Sequence, residues 1–162
     1  MFKSILLSTV LCASFASTAA DVVLFRHAEK QDGADPSLTT AGEARAKRIA
    51  NLIEPLSPTA LYSTDYNRTQ QTIAPLAKKT QLQVLSYDPR QLAAFAESLR
   101  EMEGVVVVAG HSNTTPELVK ILSGTTWPID ESTFDDLFIL KQTEHGFEFN
   151  HYSSNATSLN EK

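Results

Sequence analysis

The sequence predicts a three-layer α/β/α sandwich around a mostly parallel central sheet, on three observations. Short apolar strand signals alternate along the chain with amphipathic helical stretches. Val105 to Ala109 is an almost unbroken β-branched run, the pattern of a central strand covered on both faces. Three strand signals also end on polar turns that carry Arg or His: Arg26-His27 after Asp21 to Phe25, Arg68 after Ala60 to Ser63, and His111 after Val105 to Gly110.

In chain order, residues 1–20 stand apart from the rest. Lys3 is followed by a mostly apolar run from Ile5 to Ala16 and by the small residues Ser17 to Ala20, the layout of a secretory signal cleaved after Ala20. The run is shorter than the roughly 20 residues of a spanning helix and contains Ser and Thr, so no stable membrane insertion is expected once the signal is removed. The mature protein is expected to be exported, to the periplasm or beyond the cell. Residues 21–152 read as one domain and 153–162 as a polar tail without structure of its own.

Within the domain, strand signals fall at Val22 to Phe25, Ala60 to Ser63, Gln81 to Leu85, Val105 to Ala109 and Leu137 to Leu140. Thr40-Ala41-Gly42-Glu43 fits a capping box for a helix that runs to about Ile53, with Pro55 as its stop. A second helix is expected from about Arg68 to Lys78, capped by Asp65 and burying Ile73, Leu76 and Ala77. A third spans Gln91 to Met102, and a fourth opens at Thr114 and ends near Gly124. Glu144-His145-Gly146 marks a hairpin between Leu137 to Lys141 and Phe147 to His151, an antiparallel pair at the sheet edge.

Composition narrows the function. The chain has 14 basic and 19 acidic residues, a net charge of −5, and loss of Lys3 with the signal lowers it to about −6. Cys12, the one cysteine, leaves with the same segment, so export here does not imply disulfides. An acidic chain without a basic run is a poor partner for nucleic acid or an anionic membrane surface. Its few clustered arginines are therefore more telling, because ligands of open α/β sheets bind beyond the carboxyl ends of strands, where these Arg and His residues lie.

Three ordered segments carry a family resemblance: Arg26-His27-Ala28-Glu29, then Ser63 to Thr72 around Arg68, then Gly110-His111-Ser112-Asn113. In them the chain resembles the histidine phosphatase superfamily, with its phosphoglycerate mutase-like fold. Arg26 to Lys30 followed by Asp35-Pro36-Ser37-Leu38-Thr39 looks most like a small exported bacterial branch. The likeness spans nearly all of residues 21–151. It implies a small phosphorylated substrate and no cofactor or metal.

The chemistry of these residue types agrees. A phosphate dianion is matched by the planar, permanently charged forks of Arg26 and Arg68. His27 is the expected nucleophile, which needs a neutral ring with a free nitrogen; neighbouring cations favour that state, and a bond from its other nitrogen to a carbonyl would fix the tautomer. The intermediate is then a phosphohistidine, hydrolysed by water. His111 is expected to donate to a phosphoryl oxygen, with Ser112, Asn113 and Lys30 as further binding groups.

The acid that protonates the leaving group is less defined. Superfamily members with an obvious one use a carboxylate after the second Arg, where Asp88 stands; Asp88 fits turn initiation before Pro89 equally well, and Glu29 is the alternative. The resulting expectation is a metal-independent phosphatase for small phosphomonoesters. Two other readings stay open: a catalytically weak or inactive phosphate- or phosphosugar-binding protein of the cell envelope, and a phosphoramidate (phosphohistidine) phosphatase, as some compact superfamily members without a clear acid are. His145, His151 and Trp127 read as packing or hairpin residues.

Overall fold

A computed structural model describes residues 20–159. All of the expected export signal except Ala20 therefore lies outside the described residues, as do the last three residues of the tail. The elements follow in the order β1 (Asp21–Arg26), α1 (Thr40–Ile53), β2 (Ala60–Ser63), α2 (Asn67–Thr80), β3 (Val84–Ser86), α3 (Leu92–Arg100), β4 (Val105–Gly110), α4 (Thr114–Ser123), β5 (Asp136–Thr143) and β6 (Gly146–Ser153). The six strands form one sheet in the order β3-β2-β4-β1-β5-β6. β3, β2, β4 and β1 are mutually parallel; β5 runs antiparallel to β1, and β6 to β5.

Alternation along the strands divides the core into two layers, as the period of a strand requires. Val22, Leu24, Val106, Val108, Phe138 and Leu140 face α3 and α4, where Ala96, Leu99, Leu118 and Val119 meet them. Val23, Phe25, Val107, Ala109, Leu137 and Ile139 face α1 and α2, against Ile49, Ile53, Ile73 and Leu76. β1 and β4 are buried on both faces, which accounts for their continuous apolar runs.

Several local expectations are corrected. The N-cap of α1 is Thr39 rather than Thr40: its hydroxyl accepts from the Gly42 amide at 3.1 Å. Gly42 is required there, since a Cβ would collide with the Glu29 carbonyl. α2 is not capped by Asp65. Asp35, from the loop after β1, accepts from the Asn67 amide at 2.9 Å, so the cap comes from a residue remote in sequence. β3 begins only at Val84, because α2 persists to Thr80 and Gln81 takes the left-handed conformation that ends it.

The tail is also more ordered than expected. Ser153 closes β6, Ser154 is buried, and Leu159 packs on the α1/α2 side of the core. Arg45 on α1 holds this segment, donating to Ser154 Oγ at 3.0 Å and to Asn155 Oδ1 at 3.1 Å.

Candidate active site

The loops after β1 and β4 part company at the centre of the sheet: α1 returns on one face and α4 on the other. The crevice between them is the topological switch point of the fold. Arg26 pairs with Gly110 in register, and the His27 amide donates to the Gly110 carbonyl at 2.9 Å. The two histidines are thereby set side by side, with ring centroids 5.5 Å apart and planes at 68°. Gly110 permits this, because a Cβ there would press on the hydroxyls of Thr114, Thr115 and Tyr87 at 2.8 to 2.9 Å. α2, which follows the neighbouring β2, contributes Arg68 from its first turn.

Arg26, His27, Arg68 and His111 line one cleft of about 370 Å³, with Lys30, Ser112 and Asn113 also on its walls. Arg26 and His27 are each 3% exposed and His111 8%. His27 Nδ1 lies 2.8 Å from the Ala28 carbonyl, which can only accept. The proton is therefore on Nδ1 and the lone pair on Nε2. Ala28 is itself fixed by α2: its amide donates to Thr72 Oγ1 at 3.0 Å, and the Thr72 hydroxyl donates to the Arg68 carbonyl at 2.7 Å. One helix thus delivers a cation and orients the histidine.

Burial keeps both rings neutral. It pushes His27 down to about 4, against the Ala28 bond and with help from Arg26, Arg68 and Lys30. His111 is likewise pushed down to about 4, by burial first and then by Arg68, His27 and Arg26.

Arg26 also anchors the loop between α4 and β5. Its Nη1 donates to the carbonyls of Asp130, Glu131 and Thr133, each at 3.0 Å, and its guanidinium lies 4.3 Å from the centre of the Phe134 ring. Arg68 lies over Tyr66, 4.4 Å from the ring centre. The Nε groups of both arginines are buried without a hydrogen-bond partner. Buried donors left unsatisfied are costly, and an anion that reached them would remove the cost.

The two carboxylates expected as acids are engaged elsewhere. Asp88 does not line the cleft; Arg90 grips it at 3.0 and 3.1 Å and, with the Arg90 amide, holds its carboxyl down at about 2. Glu29 is bound by Arg45, at 2.7 Å from Nη2, and is likewise held below the usual carboxylate range, chiefly by that bond. The carboxylate on the cleft wall is Glu131, which sequence reasoning missed. Its Oε2 accepts from Arg26 Nη2 at 2.9 Å and its Oε1 from Ser112 Oγ at 2.7 Å, and these partners keep it ionised. Thr64 and Thr72 were also missed as contributors, although both lie in the segment quoted around Arg68.

Elsewhere, Trp127 stacks with His151 and packs on Phe138 and Phe149, and His151 bonds Asp136 at 2.7 Å. Among the described residues no group of three or more His, Cys, Asp or Glu is placed to hold a metal ion.

Residues 22–105 match the family model of the histidine phosphatase superfamily, branch 1. Similar solved structures include the protein histidine phosphatase SixA complexed with tungstate, at 21% identity and TM-score 0.68, covering 83% of this chain and 97% of that one. A mycobacterial glucosyl-3-phosphoglycerate phosphatase matches at 15% identity and TM-score 0.69, over 86% and 100% of the two chains. Phosphoserine phosphatase from Entamoeba histolytica, in complex with 3-phosphoglyceric acid, matches at 13% and 0.64, over 85% and 100%. No curated protein sequence is significantly similar to this chain.

Proposed function

Because the chain belongs to the histidine phosphatase superfamily, we propose that it is a metal-independent phosphatase that hydrolyses small phosphorylated substrates through a phosphohistidine on His27. The observation that carries this reading is the state of His27: a neutral ring with Nδ1 spent on the Ala28 carbonyl, leaving Nε2 as the nucleophile in a cleft that two arginines also line. Arg26 and Arg68 supply the positive charge that a transferring phosphoryl group requires. Lys30 and Asn113 on the walls are further contacts for the substrate.

Small phosphomonoesters are the substrate class read from the sequence. The second reading, a phosphoramidate such as phosphohistidine, is favoured by a specific observation: Asp88, Glu29 and Glu131 are all held ionised, and none is a ready proton donor. A nitrogen leaving group makes less demand on such a donor. Export rests on residues 1–20 alone and is part of this proposal. The deciding experiment is hydrolysis of an aryl phosphate and of a phosphoramidate in the presence of chelator, beside His27→Ala. Activity that survives chelator and is lost in the variant is expected. Anion binding without turnover in the unmodified chain would instead identify a phosphate-binding protein.

A further inference from the structure

The hydrogen bonds around His111 fix where its proton sits. His111 Nε2 lies 2.8 Å from Thr64 Oγ1, and Thr64 Oγ1 lies 2.9 Å from Thr69 Oγ1; all three residues are buried. Thr69 Oγ1 is in turn 2.9 Å from the Tyr66 carbonyl and 3.0 Å from the Thr64 carbonyl. Carbonyl oxygens only accept, and Thr69 has one hydroxyl proton to give. Were that proton directed at Thr64 Oγ1, both carbonyl contacts would be oxygen against oxygen with no proton between them. Thr69 therefore donates to the carbonyls and accepts from Thr64. With its own proton spent, Thr64 accepts from His111. The proton of His111 is on Nε2, and Nδ1 carries a lone pair.

This has a consequence for anion binding in a cleft that His111 lines. A nitrogen lone pair repels a phosphoryl oxygen. The surrounding groups are Arg26 and His27 at the end of β1, Arg68 on α2, the Tyr66 ring at 5.1 Å, and Lys30, Arg90 and Glu131, which line the same cleft. The arginines oppose a proton on His111 until a dianion arrives to offset them.

We propose that Thr64 and Thr69 form a proton-fixing relay, so that an oxyanion binds at His111 only with uptake of one proton at Nδ1. Thr64 is then a positioning residue for the reaction. The relay adds a condition to the expected donation from His111 to a phosphoryl oxygen, that the ring first takes up a proton, and it rests on the reading of the cleft as a phosphate site.

The test uses inorganic sulfate, which stays dianionic across the working range, and 15N NMR of histidine-labelled full chain. Without sulfate, His111 is expected to show Nε2–H and a bare Nδ1. With sulfate both nitrogens should carry protons, and sulfate affinity should fall by up to about tenfold per pH unit as pH rises above the value of about 4 of the unliganded ring. Thr64→Val frees the ring to take the Nδ1–H tautomer and donate without a proton, so the pH dependence should flatten. Thr64→Ser should restore it, which a merely structural role for the side chain does not predict. A bare Nε2 in the unliganded chain, or a pH-independent sulfate affinity, would overturn the relay. Should Thr64→Val fail to fold, the spectra of the unmodified chain and Thr64→Ser decide alone. Turnover is not a readout, so absence of hydrolysis with the relay intact would count against the phosphatase reading and not against this one.

Discussion

On the floor of the cleft, Arg26 is gripped by three loop carbonyls, His27 by the Ala28 carbonyl and His111 by Thr64, and none is more than 8% exposed. On the rim, the Arg90 and Glu131 side chains are 87% and 83% exposed, and their partners are mostly other side chains. The floor is a preorganised anion site in which each group has one orientation. The rim is a set of charges that solvent screens and that a substrate can rearrange. Reaction type should therefore reside in the floor, and substrate choice in the rim.

The largest effect that can break this division is at the floor. His27→Ala should lower aryl phosphate hydrolysis by more than about 10³-fold, measured as kcat/KM, because it removes the nucleophile. Survival of activity would mean that catalysis lies elsewhere. Thr72→Val tests the support beneath it. Loss of the Thr72 acceptor leaves the buried Ala28 amide unpaired, at a cost of about 1–3 kcal/mol in chemical denaturation, and loosens the residue whose carbonyl orients His27.

The floor also predicts a pH dependence of stability. His27 and His111 titrate near 6.5 when unfolded and near 4 when folded. Between those values the unfolded state binds more protons, so stability is full above pH 6.5 and falls as pH drops toward 4. The loss is on the order of 3 kcal/mol for each ring. Denaturation midpoints measured across this window should show it, and His111→Asn should remove about half. Equal stability at both ends would mean that neither ring is buried neutral.

How much of this was legible in the sequence follows the same line. The strand ends that present Arg26, His27 and His111 could be read because a buried strand announces itself by an apolar run, and the residues that close it must then lie at the carboxyl end of the sheet. Neighbours in space but not in sequence left no such mark. Asp35 caps α2 from 32 residues away, while the nearer Asp65 was the natural expectation. Arg45 ties down both Glu29 and a tail whose polar composition suggested no structure. Glu131 reaches Arg26 across 105 residues, through a loop without periodicity. Thr64 stood in a motif, yet its use depends on which proton goes where, a matter of side-chain geometry.

The rim gives smaller effects, and they differ in sign. Glu131 places an ionised carboxylate on Arg26 and Ser112, two groups expected to meet the phosphate, so it competes with or repels an incoming dianion. Glu131→Gln keeps the shape and removes the charge. Inhibition by orthophosphate should then tighten by about 3- to 10-fold, as expected for one like charge at close range in a partly solvated site. Weaker inhibition would mean that Glu131 helps to hold the anion. Asp88→Asn should change aryl phosphate hydrolysis by less than about 2-fold, since Asp88 is gripped by Arg90 outside the cleft and an aryl leaving group needs little protonation. An alkyl phosphate sharpens the test, because its leaving group does need a proton. A large loss confined to alkyl phosphates would show that Asp88 leaves Arg90 to act as the acid, and reaction type would then be shared between floor and rim.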